Sequence, residues 1–515
     1  MPLDARAQPN GVLAKFRAWC YPTRPRSIQG WQMQQPMRSR SQAARSWGGA
    51  YAWALALGTL ACAAEANECA RTEPCRVDGP LELATWWGTR GELYASFDVL
   101  KQGYRRETHR EVELAHQLQN KRDHTLWVEE QLGEPSGASA ALDVFSANNG
   151  DEVLRWTPCA AWGPAPAAPR LAGLTDPALG PLHLSPEWIE ATFEPRVMET
   201  LQCAGETYAL PVGSHRINTL FFNKALFRAA GYAVDGSAGA ALPGTLEELY
   251  AATDAVTSQL PEGDPASDLS PSAFAVAGRE AWTVSLFVIE NLMLALAGSA
   301  ERYESYWRGT NCDADLLQST LREFARLRPH FGSWALNSSE ALGRVSSGQA
   351  AMMVMGDWAA AEIDPELVGS MPFPGTAQYF VFSADVFALP ARGGGASSNG
   401  LGWLRAVTER QTQRDFSLAK SALPARVDLE HERLGPAGAQ LFWVRSLPAL
   451  LPYHPDAAFA SLQDELSRWL SSGDTSGDAL LRYAREQYPK LSGGAVVCPE
   501  PDGGAAPSVD IPEIQ

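Results

Sequence analysis

Tyr208-Ala-Leu-Pro-Val-Gly-Ser-His-Arg-Ile-Asn-Thr-Leu-Phe-Phe-Asn-Lys224 is the stretch on which the fold turns. It opens as a short apolar run stopped by Pro211 and Gly213, then sets Ser214, His215 and Arg216 side by side. Ile217 to Phe222 reads as an alternating strand, and Asn223-Lys224 opens a helix. Alternation with period two marks a half-buried strand, and proline and glycine punctuate local structure. The pattern predicts two strands joined by a polar bend. Alone, such a bend reads most simply as a crossover loop.

Upstream, Leu81 to Trp87 reads as a strand ending in two indoles, and Thr89 and Glu92 have capping-box spacing for a helix over 91–104. Neighbouring strand residues face opposite ways, so one of Trp86 and Trp87 can be core while the other stands at the strand's C-terminal end, where open α/β sheets bind ligands. Thr125 to Glu130 and Ala141 to Phe145 read as short strands, the latter running into polar residues at Asn148-Asn149-Gly150. Trp156 to Arg170 reads as a Pro/Ala-rich loop and Pro186 to Leu201 as a helix.

Downstream, Thr245 and Glu248, and Asn337 and Glu340, cap two further helices. Ala273 to Gly278 reads as a strand, Trp282 to Ala297 as an apolar helix containing Asn291, and Ala350 to Met355 as a buried strand ending at Gly356-Asp357-Trp358. Asp357 is expected to cap the helix that follows. Ala377 to Leu389 reads as a strand through Asp385, Leu401 to Phe416 as helical, Lys420 to Arg426 as a loop, and Ala437 to Leu451 and Ala457 to Gln487 as helices.

A chain of 515 residues exceeds what one hydrophobic core supports, so two or more lobes are expected. The net charge of -17 argues against nucleic acid or an anionic membrane surface as partner. Residues 1–63 have the form of an export signal: eight Lys/Arg against one acid, an apolar run from Ala50 to Ala61, and Ala61-Cys-Ala63 as a cleavage site. Met37 is an alternative start, and Cys62 an alternative lipid anchor. Without those residues the formal charge falls to about -24.

Six cysteines follow, suggesting disulfides, with Cys69–Cys75 and Cys159–Cys203 the expected pairs. HExxH, GxSxG and phosphate-loop motifs are absent, and the histidines lack metal-ligand spacing, so neither catalysis nor a cofactor is expected.

Four stretches together resemble the bacterial extracellular solute-binding proteins of family 1, and most nearly their glucose/mannose/galactose-type branch. They are Trp86-Trp-Gly-Thr-Arg-Gly-Glu92, Tyr208 to Asn218, Gly348-Gln-Ala-Ala-Met-Met-Val-Met-Gly-Asp-Trp-Ala359 and Phe380-Val-Phe-Ser-Ala-Asp-Val-Phe-Ala-Leu-Pro390. Lys420-Ser-Ala-Leu-Pro-Ala-Arg426 is similar to that branch's KGSxPAR loop.

The resemblance implies a two-lobed periplasmic-binding-protein fold (type II, α/β) with three crossings. The first lobe would hold residues 80–214 and 378–426, the second 217–374 and 428–492, and 493–515 would be a flexible tail. It implies a monomeric, exported sugar receptor serving the membrane permease of an ABC importer. Trp86, Trp87, Glu92, Asn148 and Asp385 would line the first lobe's rim, and Trp282, Asn291, Asp357 and Trp358 the second's, with His215 and Arg216 between and Lys420 beside them. The ligand implied is a glucose-like monosaccharide or a short oligosaccharide; Ser146 and Asn148 stand where that branch usually carries Gln and His, which changes part of the first lobe's hydroxyl recognition and leaves the identity of the monosaccharide open. A sugar sensor, or an exported carbohydrate-active enzyme using Glu92, Asp357 and Asp385, are the alternatives.

Overall fold

The stretch around His215 forms two strands that belong to two different sheets. The computed structural model describes residues 80–87, 91–117, 121–133, 142–159, 166–263 apart from 167–168, 178, 180–182 and 236, then 270–307, 314–391, 396–429, 449–452 and 468–469. Its strands are β1 (Leu81–Thr85), β2 (Val112–Gln117), β3 (Val144–Asn148), the short pair β4 (Gln202–Cys203) and β5 (Glu206–Thr207), β6 (Ala209–Arg216), β7 (Thr219–Asn223), β8 (Ser272–Phe274), β9 (Ala350–Met355), β10 (Val368–Pro372), β11 (Tyr379–Ala388) and β12 (Ala449–Pro452).

The larger sheet has the order β12-β11-β3-β1-β2, with β6 also paired to β11; the smaller runs β10-β7-β9-β8. Parallel β1–β2 and β1–β3 pairs are joined through helices, while β11 lies antiparallel to both β3 and β6. This is the mixed α/β, two-lobed architecture expected. The chain passes between the sheets at Ile217-Asn218 and again between Pro372 and Tyr379.

Local chemistry explains most elements. Thr245 Oγ1 accepts from Glu248 N–H while Glu248 accepts from Thr245 N–H, and Asn337 and Glu340 repeat the reciprocal pattern. These boxes start the helices Leu246–Thr257 and Ser338–Ser346. Asn223 caps Lys224–Ala229 through Leu226 N–H.

Several expectations are corrected. The polar bend at 214–216 is strand: β6 runs through Pro211 and Gly213 to Arg216, and the break comes at 217–218. Pro211 is tolerated beside a register shift, where Asp385 faces Gly213 and Val386 faces Pro211, leaving Val212 as the extra residue of a bulge. Gly213 has a packing reason: a Cβ there would lie 2.9 Å from the Phe416 ring and 3.2 Å from Ala422 Cβ.

Thr125–Glu130 is not a strand but part of the helix Lys121–Gly133, in which the flanking charged helix formers outweigh the Thr-Leu-Trp-Val run. The strand on that side is β2, and β3 starts at Val144 rather than Ala141. Pro186–Leu201 breaks into Pro186–Thr192 and Pro195–Glu199, because the residue before Pro195 is pushed out of the helical region. The 282–297 helix contains a π-helical stretch, Leu286–Met293. The end of the expected helix 437–451 is instead β12, lying parallel to β11.

Two main apolar cores result. One, on the larger sheet, holds Trp87, Phe97, Tyr104, Phe145, Trp403 and Phe416; the other, on the smaller, holds Phe222, Phe274, Phe287, Phe324 and Trp469. The Cys159–Cys203 disulfide forms as expected and ties the 150s loop to β4. Cys69–Cys75, the export signal, the tail and all of the expected 457–487 helix except 468–469, which are helical, lie outside the described residues. Among the described residues no helix is long and apolar enough to cross a membrane, and no cluster suits a metal ion.

Candidate functional site

β11 and its two neighbours set the site by register. Ser383 lies opposite His215 on β6, and Asp385 lies opposite Asn148 on β3. Directly opposed residues share a face, as do residues two apart, so His215, Ser383, Asp385 and Asn148 project together. Asn148 donates from Nδ2 to Ser383 Oγ at 3.0 Å.

The smaller sheet brings Asp357 to the same place. Strand β9 ends at Met355, and the chain enters a 3₁₀ turn, Asp357–Glu362, that packs against β6 and the helices Gly91–Thr108 and Arg410–Lys420. Gly356 occupies the capping position and Asp357 makes no cap bond, contrary to expectation. Its carboxylate points across instead, Oδ1 to His215 Nδ1 at 2.9 Å and Oδ2 to the Arg216 N–H at 2.9 Å. His215 Nε2 meets Asp385 Oδ2 at 3.1 Å, and Lys420 Nζ donates to the same Asp385 oxygen.

The result is a buried chain, Asp357–His215–Asp385–Lys420, whose members are exposed by only 2%, 3%, 4% and 3%. Burial would raise the Asp385 pKa, but Lys420 and His215 outweigh it and hold the carboxyl down at about 2. Burial and the Lys420 charge push His215 down, yet its bonds to the two carboxylates prevail and raise it. Burial draws Arg216 down to about 10, against the pull of Asp357.

Aromatic rings frame this chain. The Trp358 ring stands perpendicular to the His215 ring at 5.2 Å and Trp282 lies 6.0 Å from Trp358, both half-buried. Of the paired indoles, Trp87 is core, stacked on Phe416 at 6.0 Å with Lys420 Nζ 4.5 Å from its ring centre. Trp86 is half-buried beside His124 and Lys121, at 5.1 and 5.9 Å. Trp87 is thus the core member of the pair, and both indoles lie just past the end of β1.

Other expected residues sit apart. The Arg216 guanidinium bonds Asn218 Oδ1 and Tyr379 O, each at 3.1 Å, and so faces the crossing. Asn291, fully buried in the π-helical stretch, approaches Ile217 O at 3.4 Å. Glu92 lies in the first turn of Gly91–Thr108, and its side chain is outside the described set. Sequence reasoning overlooked Asn218, whose amide ties the crossing at 217–218 to that at 373–378. Its only signal was a polar residue at the start of an apolar strand.

A profile of the bacterial extracellular solute-binding proteins matches residues 136–406, just over half of the chain. The chain belongs to this family. Among its relatives, an uncharacterized ABC transporter extracellular-binding protein of Pyrococcus horikoshii is 27% identical over 52% of this chain and 60% of its own length. The xylose/arabinose-binding protein XacG of Haloferax volcanii is 25% identical over 48% of this chain and 52% of its own. The chain therefore spans little more than half the length of these curated relatives. Among solved structures, the bacterial solute receptor AcbH, described as preferring β-D-galactopyranose, superposes with a TM-score of 0.61 at 16% identity, covering 80% of this chain and 99% of that one. At that identity the likeness speaks for the two-lobed solute-binding fold alone.

Proposed function

We propose that this solute-binding protein is the exported receptor of a carbohydrate ABC importer, taking a glucose-like monosaccharide or short oligosaccharide between its lobes and handing it to a membrane permease. The observation that carries this reading is the convergence of His215, Asp357, Asp385 and Lys420 from both sheets, framed by Trp358 and Trp282. Carboxylates, imidazole and ammonium fix sugar hydroxyls, while indoles cover the C–H faces of a pyranose. Relatives described as pentose- and galactose-binding support the same class.

Trp86 and Asn148 would extend the site on the first lobe, with Glu92, Trp87, Arg216 and Asn291 acting behind or beside it. The lobe boundaries, the monomeric state and the export signal belong to the same proposal. A hydrolase is disfavoured on physical grounds: Asp385, held at about 2, has no proton to give near neutral pH, and Asp357 is engaged by His215 and a backbone N–H.

Intrinsic tryptophan fluorescence, titrated with mono- and disaccharides, tests the reading. One sugar should give a saturable change at micromolar concentration without product on long incubation. Asp357→Ala should remove that response, and Trp358→Ala should weaken binding at least about tenfold, each with the fold intact by circular dichroism. Unchanged titrations in both variants would overturn the site, and silence toward every saccharide would overturn the sugar.

A further inference from the structure

The His215 contacts carry a consequence that does not depend on the ligand being a sugar. Both ring nitrogens face carboxylate oxygens, at 2.9 Å from Asp357 and 3.1 Å from Asp385. A carboxylate accepts and does not donate, and a neutral imidazole has only one N–H. In the neutral ring a nitrogen lone pair would confront a carboxylate lone pair across one of these contacts. Only the imidazolium satisfies both.

The two carboxylates belong to different halves of the molecule. Asp385 sits on β11 beside β6, whereas Asp357 follows β9 of the smaller sheet. We propose that His215 is a proton-dependent latch, which as an imidazolium ties the two lobes together so that closing them takes up a proton.

Of the charges around the ring, the two carboxylates favour the imidazolium and the Lys420 ammonium opposes it. On β11 and the helix Arg410–Lys420 stand Asp385 and Lys420; from the turn after β9 comes Asp357; on β6 itself Arg216 follows, its guanidinium turned toward Asn218 and Tyr379. Trp358, also on that turn, adds an uncharged ring set perpendicular to the imidazole. The Glu92 side chain, on the helix packed against the turn, is outside the described set.

Separating the lobes removes Asp357 and readmits water, which returns His215 toward the ordinary imidazole value of about 6.5. In the closed form its pKa is raised. The latch is therefore fully engaged below the open-form value and is lost as pH rises through the closed-form one. Protonation of Asp385, whose carboxyl is held down at about 2, sets a second, acidic limit.

The test is the interlobe distance in the purified protein without ligand. Bio-orthogonal labels at positions 126 and 367, both exposed, report it from pH 5.5 to 9. The protein should be compact at the acid end and lengthen as pH rises. In His215→Gln, which does not titrate, and in Asp357→Asn, whose amide can turn to donate to a neutral ring, that pH-dependent change should be lost. A distance independent of pH in the unmodified protein, or a change retained in both variants, would overturn the latch. Nitrogen-15 spectra of the unmodified protein at pH 6.5 read the ring directly and are independent of whether a variant folds. Two N–H signals are expected from His215, and one neutral tautomer would overturn the proposal.

Discussion

Asp385 carries more electrostatic weight than any other described side chain of the site: it accepts from His215 and from Lys420, all three buried. Removing one member of a buried charge network costs far more than the network contributes, because the remaining charges stay desolvated and unpaired. Asp385→Ala should therefore destabilise by about 3–5 kcal/mol, read from the urea midpoint. Asp385→Ala with Lys420→Met removes the stranded ammonium as well and should recover much of the loss. A double variant as unstable as the single one would show that cavity rather than charge dominates. The pH dependence has a definite sign. Since the folded carboxyl titrates near 2, below the ordinary aspartate value, its contribution is present above about 4 and is lost as pH falls toward 2.

At the scale of elements, the crossings at 217–218 and 373–378 behave as one unit because of Asn218. Its Nδ2 donates to Thr376 Oγ1 at 2.9 Å and to Tyr379 O at 3.1 Å, while its Oδ1 accepts from Val381 N–H and from Arg216, both at 3.1 Å. Asn218→Leu takes the acceptor from the Val381 N–H and from Arg216 Nε at a fully buried position, at about 1–3 kcal/mol for each group left unpaired. A loss of roughly 2–5 kcal/mol in chemical denaturation is expected; a change under about 0.5 kcal/mol would mean that water replaces the amide.

This element also shows what could be read from the sequence. The short run ending at Phe222 announced β7, although its residues are buried throughout rather than alternating, and the Thr245 and Asn337 boxes announced two helices, because those signals are local. The resemblance brought His215, Asp357, Asp385 and Lys420 into one cleft, and they do meet. That they bond one another was not legible, since the contacts depend on a strand register that no single segment encodes. The helix Lys121–Gly133 was misread for a related reason: a four-residue apolar run fits either period, and only its wider surroundings decide.

Across the whole molecule, the two cores are joined by one strand. In the first half of β11, Tyr379 and Val381 enter the core of the smaller sheet, while Phe380 and Phe382 enter that of the larger. A strand presents alternate residues to opposite sides, so this segment cannot leave one core without disturbing the other. Chains built from several lobes often melt in several steps. Here the shared strand, with the crossing amide of Asn218 bonded to it, argues for coupling. Scanning calorimetry of the ligand-free protein should give one transition, with calorimetric and van't Hoff enthalpies in agreement. Val381→Ala opens a cavity in the smaller core alone, at a cost of about 1–2 kcal/mol. If the cores are coupled, the single transition moves down as a whole by about 2 °C, a small shift because the melting entropy grows with chain length. If they are not, a separate early transition detaches from the main one, and the lobes are joined by their crossings without sharing stability.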